Sequence, residues 1–243
     1  MTQRQLFGTD GIRGVAGEFP LTKQSTYLIG RALGHDLVRM QPRPQAVIGQ
    51  DTRESSRWIA DRVAEGLAAV GVDVHSAGLI TTPGIAYLAR SRNMAAGIVI
   101  SASHNPWTDN GIKVFSGDGF KLTDERELAI EREIFALLQN PSSADDTALK
   151  VPRPSLPGEA ELRHAYIKDL ASSVKSDLGK VRVLIDCGNG AATAEAPELF
   201  RSLNVQATFI HISPDGKNIN EQCGALHPET LGKQVAQSGG KFD

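Results

Sequence analysis

Cysteine is nearly missing from this sequence. Cys187 and Cys223 are the only two among 243 residues, too few for a disulfide framework or a cysteine-based metal site. Both read as small buried residues or free thiols. Long apolar runs are missing as well. The longest, Met94 to Ile100, falls far short of the roughly 20 residues a helix needs to cross a bilayer. Met1 to Leu6 is polar and lacks the apolar core of a signal peptide. The expectation is a cytoplasmic protein with no membrane partner. An excess of one charge is also lacking: 26 Lys and Arg stand against 28 Asp and Glu, a formal charge of −2, which gives no basic field for nucleic acid. The five histidines outside position 104 (His35, His75, His164, His211 and His227) show no metal-ligand spacing.

What remains is an ordinary globular composition, 40 % apolar and 22 % charged, on a chain long enough for one or two domains. The stretch around which it is organised is Gly97-Ile98-Val99-Ile100-Ser101-Ala102-Ser103-His104-Asn105-Pro106. Its apolar half reads as a buried strand, and its polar half as a loop at the C-terminal end of that strand, where open α/β sheets place their ligands. Ser103 offers a hydroxyl, His104 an imidazole, Asn105 an amide, and Lys113 an ammonium ten positions on. Together these suit holding and transferring a phosphoryl group. An Asn-Pro turn with no chemistry is the plain alternative.

Strands and helices alternate around this stretch. Phe7-Gly8-Thr9-Asp10-Gly11-Ile12-Arg13-Gly14 is a glycine-rich turn with one guanidinium, Arg13, whose planar fork suits a phosphate. A helix is expected over Leu21–Met40, a strand over Ala46–Gly49, and a helix over Trp58–Val70 with Ser55 or Ser56 as its N-cap. Asp51 and Arg53 between them fit a local ion pair at a helix start and are not counted in the site. A strand over Val72–Ser76, a helix through Ile85–Ala89, a strand over Ile112–Phe115 and a helix over Asp124–Leu138 follow. The first unit thus spans 1–139. Residues 140–158, with four prolines, read as a linker. A second unit, 159–243, repeats the alternation: a helix from Glu159, a strand over Val181–Asp186, a helix near Pro197–Leu203, a strand over Val205–Ile210 and a helix over Glu229–Gln237. Phe242-Asp243 reads as the opening of a strand, so the chain is expected to be a fragment. The Cys187-Gly188-Asn189-Gly190 turn fits either phosphate binding or a plain strand-to-helix connection. The fold class is therefore α/β: two consecutive domains with mainly parallel mixed sheets covered by helices, the second truncated.

Three segments together resemble the α-D-phosphohexomutase family: Phe7 to Gly14, Ser101 to Pro106, and Asp109-Asn110-Gly111-Ile112-Lys113. The Thr9-Asp10-Gly11 form of the first loop and Asp118-Gly119-Phe120-Lys121-Leu122 lean toward its glucosamine branch. Asp186 to Ala191 and Pro214 to Asn220 look like second-domain landmarks of the same family. The resemblance implies an isomerase of amino-sugar metabolism that supplies cell-wall precursors by interconverting glucosamine 6-phosphate and glucosamine 1-phosphate. It further implies phosphoserine at Ser103, a hexosamine 1,6-bisphosphate intermediate, and Arg13, Asn105 and Lys113 on the phosphate, with Lys113 or His104 moving protons. The family clamps Mg²⁺ between the phosphoserine and an Asp-x-Asp-x-Asp-Arg loop. No such run occurs in this sequence, so Ser103, through its phosphate, is the one metal contact the resemblance assigns here, and the chain alone is expected to be inactive. The alternatives are the glucose or mannose branch of the family, and a non-catalytic module that binds phosphosugar.

Overall fold

The computed structural model describes residues 4–140 and 158–243; all but the two end residues of the expected 140–158 linker lie outside the described residues. Two short strands open the chain, β1 (Phe7–Gly8) and β2 (Gly11–Val15), paired antiparallel across a turn at Thr9-Asp10. Helix α1 (Lys23–Met40) begins at Thr22, whose hydroxyl accepts the Ser25 N–H while the Ser25 hydroxyl accepts the Thr22 N–H. This reciprocal cap satisfies two donors that a helix start leaves orphaned. Strand β3 (Gln45–Gln50), helix α2 (Ser56–Ala68), strand β4 (Asp73–Leu79) and helix α3 (Thr82–Ser91) follow. Then come β5 (Ala96–Ile100), β6 (Asp109–Ser116) and α4 (Asp124–Gln139). Every residue of β5 is buried, as a strand covered on both faces requires.

These strands form one mixed sheet in the order β1-β2-β6-β5-β3-β4, and the α/β class expected from the sequence holds. Parallel pairing is confined to β4-β3-β5; the other three pairings are antiparallel. The reason lies in the connections. Helices α2 and α3 are crossovers that return the chain to the same edge, whereas only residues 101–108 join β5 to β6, enough for a hairpin.

Side-chain alternation along the strands divides the core in two. Ala46, Ile48, Ile98, Ile100, Ile112 and Val114 join a cluster with α1, α2 and α4, while Val47 and Val99 join Ile85, Leu88 and Tyr166 on the opposite face. Lys113, between Ile112 and Val114, falls on that opposite face. α1 and α2 approach through Gly30 and Gly66: a methyl group built on Gly66 would lie 2.1 Å from the Tyr27 carbonyl oxygen. Ser55 stands at the N-cap of α2 as expected, but its side chain caps nothing. Its hydroxyl accepts a hydrogen bond from Asn110 instead.

Helix α5 (Glu159–Ser173) lies on the first sheet through Tyr166, whose ring is 5.5 Å from that of Tyr87. Beyond it, β7 (Arg182–Asp186), α6 (Ala196–Ser202), β8 (Gln206–Ile210) and α7 (Pro228–Gln237) complete the described chain, with β7 and β8 paired parallel. Phe242 and Asp243 carry no strand ladder, although the Asp243 N–H donates to the Arg182 carbonyl at 2.9 Å and its carboxylate accepts from Arg182. No described helix is long and apolar enough to cross a membrane.

Candidate active site

The β5–β6 connection carries Ser103 at the C-terminal edge of β5. Ser103 is exposed and adopts φ +58°, a left-handed backbone that costs a non-glycine residue of order 1–3 kcal/mol and persists only where its surroundings impose it. Here they do. The Ser103 N–H donates to Ser101 Oγ at 3.0 Å, the Asn105 N–H donates to the Ala102 carbonyl at 3.1 Å, and the Asn105 amide donates to Asp109 at 3.0 Å. Asn105 therefore braces the loop. Among the described residues, neither the Ser103 hydroxyl nor the exposed His104 ring makes a hydrogen bond.

Residues set aside at the sequence level complete the brace. Arg53, only 2 % exposed, donates Nη2 to the carbonyl oxygens of Ser103 at 3.0 Å and Asn105 at 2.7 Å. Its Nη1 is paired with the buried Asp51 carboxylate, which also accepts from the Arg53 N–H at 3.1 Å and the Ser56 hydroxyl at 2.7 Å. The ion pair is thus local, as expected, yet its guanidinium spans two loops. A signal for this existed: β3 and β5 are parallel neighbours, so the loops leaving their C-terminal ends meet. Asn110, fully buried, ties the same corner by donating to Ser55 and Ser56 and accepting from the Gly111 N–H.

Arg13 and Lys113 converge one strand away. Residues 13 and 111 are partners in the β2–β6 ladder, and the Ser101 N–H donates to the Gly111 carbonyl at 3.0 Å, which places Lys113 on the strand next to β5 and Arg13 on the strand beyond it. They meet at Asp10, Lys113 Nζ at 2.6 Å and Arg13 Nη2 at 2.8 Å. Partial burial pushes the Asp10 carboxyl upward, but the hydrogen bond and charge of Lys113 and then those of Arg13 outweigh it and hold the pKa below the usual carboxylate range. The Asp10 side chain remains half exposed and that of Arg13 about one-third exposed, while Lys113 is buried.

The second unit docks onto this edge. Thr52 Oγ1 donates to the Asn189 carbonyl at 2.5 Å, the Glu54 N–H donates to the Gly216 carbonyl at 2.9 Å, and the Asn220 amide donates to the Ser103 carbonyl at 3.0 Å. The Cys187–Gly190 turn contributes this docking carbonyl, and Asn189 in turn binds the loop before Asn220, accepting from the Ser213 N–H and donating to the Asn218 carbonyl. Its role here is structural. Burial pushes the Cys187 thiol up to about 11, with Asp186 adding to the shift.

Among the described residues the carboxylates do not assemble a Mg²⁺ site. Asp51 is spent on Arg53 and Ser56, Asp109 accepts from Asn105, and Asp10 is neutralised by two cations. The grouping with metal-ligand proximity among the described residues is Asp186, His211 and Cys223, which sequence spacing does not reveal. A thiol and an imidazole are soft donors that Mg²⁺ does not favour. Asp186 is moreover engaged with the Gly188 and Gly224 N–H groups and the His211 ring.

Residues 4–141 match the family model described as phosphoglucomutase/phosphomannomutase, alpha/beta/alpha domain I. The chain is 53 % identical over 241 residues to a phosphoglucosamine mutase of Koribacter versatilis, covering 99 % of this chain and 52 % of that protein. A phosphoglucosamine mutase of Solibacter usitatus is 50 % identical over 232 residues, covering 96 % of this chain and 50 % of that protein. The crystal structure of a putative phosphomannomutase from Thermus thermophilus matches with a TM-score of 0.78 at 27 % identity, over 95 % of this chain and 51 % of that one. The chain spans about half the length of the curated relatives it matches.

Proposed function

Because the chain belongs to the phosphoglucomutase/phosphomannomutase family, we propose that it is the serine-bearing part of a phosphoglucosamine mutase, which interconverts glucosamine 6-phosphate and glucosamine 1-phosphate. Residues 1–139 form the first domain of that enzyme and 159–243 part of the second. The observation that carries the reading is the exposed Ser103, held at φ +58° on a loop braced by Arg53, in a sequence 53 % identical to a protein of that name.

Phosphoryl transfer runs through a loose transition state with negative charge spread over the equatorial oxygens, so positioning and charge neutralisation are most of what a protein must supply. In the forward direction Ser103 carries the phosphoryl group. The bond from Ser103 Oγ to phosphorus breaks as one forms to the free sugar hydroxyl, giving a hexosamine 1,6-bisphosphate. The hydroxyl proton leaves to a nearby base, and Ser103 Oγ takes a proton as it is released. His104, exposed and next to Ser103 in the chain, and Lys113 are the two candidate groups for these transfers. Arg13 and Lys113 offset the phosphate charge, Asn105 keeps the loop in shape, and the bisphosphate then returns its other phosphoryl group to Ser103. Among the described residues no carboxylates assemble a Mg²⁺ site. A phosphoprotein acting on sugar phosphates in the cytoplasm is part of the same reading.

Comparing kcat/KM of the full-length gene product on glucosamine, glucose and mannose phosphates tests it. Glucosamine phosphates are expected to lead by about tenfold or more, since a site that hydrogen-bonds one substituent discriminates against its replacement. Equal or better turnover on glucose or mannose phosphates assigns the protein to another branch of the family.

A further inference from the structure

We propose that Asn220 is a positioning residue for Ser103, so that docking of the second unit sets the geometry of the nucleophile. This rests on the reading of Ser103 as the phosphoryl carrier.

Two donors from different parts of the chain meet on the same two carbonyl oxygens. Arg53 Nη2 reaches Ser103 O at 3.0 Å and Asn105 O at 2.7 Å; Asn220 Nδ2 reaches them at 3.0 and 3.4 Å. With the Ser103 N–H fixed on Ser101 Oγ, the peptide planes on both sides of Ser103 are held, and with them the direction of its side chain. Arg53 acts from within the first sheet, gripped by Asp51. Asn220 acts from 117 residues away, and its own backbone is fixed: its N–H donates to the Gly188 carbonyl at 2.9 Å, and Ile219 beside it is buried. The Asn220 amide therefore reaches Ser103 only while the loop over residues 214–220 sits on residues 52–54, through Gly216 on Glu54 and Asn189 on Thr52.

A left-handed backbone such as that of Ser103 persists only where its surroundings impose it; without the Asn220 amide, Arg53 is left as the one side-chain donor on these two carbonyls, and misplacing a reacting group by about 1 Å can cost on the order of a hundredfold in rate. The test uses the full-length protein with two substitutions. Asn220 has φ +60°, so Asn220→Gly removes the amide without strain. Asn220→Asp keeps the shape but turns the donor into an acceptor facing two carbonyl oxygens. For both variants, single-turnover phosphorylation of Ser103 by glucosamine 1,6-bisphosphate and kcat should fall about tenfold or more, with KM within about twofold of the unsubstituted protein. Hydrogen exchange in the peptide spanning Ser101–Pro106 should quicken about tenfold in both. Unchanged exchange overturns the proposal, and so does a kcat within twofold or a loss that appears only in KM. The exchange readout does not depend on catalysis. If the unsubstituted protein neither turns over nor carries phosphate on Ser103, the functional reading fails, and exchange alone decides whether Asn220 positions the loop. Asn220→Gly stands if Asn220→Asp fails to fold.

Discussion

The Lys113 ammonium stands 2.6 Å from an Asp10 carboxylate oxygen that also accepts a hydrogen bond from Arg13 at 2.8 Å. Lys113 is 8 % exposed and Asp10 far more open, so the carboxylate joins a buried cation to a more exposed one. Lys113→Met keeps the apolar stem and leaves the Asp10–Arg13 pair in place. In the full-length protein it is expected to lower kcat by about 10²–10³, the usual loss for one preorganised charge at a transition state. Steady-state kinetics on glucosamine phosphates checks this; a kcat within twofold would put Lys113 outside the chemistry.

Asp186 ties three segments together by accepting from the N–H groups of Gly188 and Gly224 at 2.8 and 2.9 Å and pairing with the His211 ring at 3.0 Å. Burial pushes its carboxyl up, but the two backbone donors and then His211 outweigh this and hold it below the usual range. A depressed carboxylate contributes stability that is present above its unfolded pKa, about 3.9, and lost as pH falls through the folded value. Asp186→Asn is therefore expected to destabilise the protein by about 1–3 kcal/mol at pH 7. The gap to the unsubstituted protein should close below about pH 4. Denaturant titrations at pH 7 and at low pH measure it, and a gap that stays constant would mean the carboxylate charge plays no part.

Gly66 marks the closest approach of two helices, since a Cβ there would lie 2.1 Å from the Tyr27 carbonyl oxygen and 2.7 Å from the Arg31 nitrogen. Backbone cannot give way as a flexible side chain can. Gly66→Ala should force α1 and α2 apart and cost about 1–3 kcal/mol, outweighing the gain of up to about 1 kcal/mol that alanine brings to a helix interior. A raised melting temperature in this variant would contradict the packing described.

How far the sequence anticipates this structure depends on how local each signal is. Helices and strands were legible because their apolar spacing is local, and so was the placement of Ser103 at a strand end. The antiparallel β6 was not, because a strand's own residues do not encode the direction of its neighbour; only the short connection from Ile100 to Asp109 does. Arg53 reads locally as a partner for Asp51, and it is that; its reach to Ser103 and Asn105 appears only once β3 and β5 lie side by side. Asn220 is further removed still. Nothing within Pro214–Asn220 announces a hydrogen bond to residue 103, since that contact exists only through the docking of two units. His211 and Cys223 meet Asp186 within the second unit, through a fold that brings residues 186, 211 and 223 to one point.

In the proposed reaction Ser103 carries the phosphoryl group. Incubating the full-length protein with glucosamine 1,6-bisphosphate and mapping the modification by phosphopeptide mass spectrometry tests it most directly. Phosphate on Ser103 and loss of mutase turnover in Ser103→Ala are expected. Phosphate on a different residue, with Ser103 bare and Ser103→Ala fully active, would contradict it.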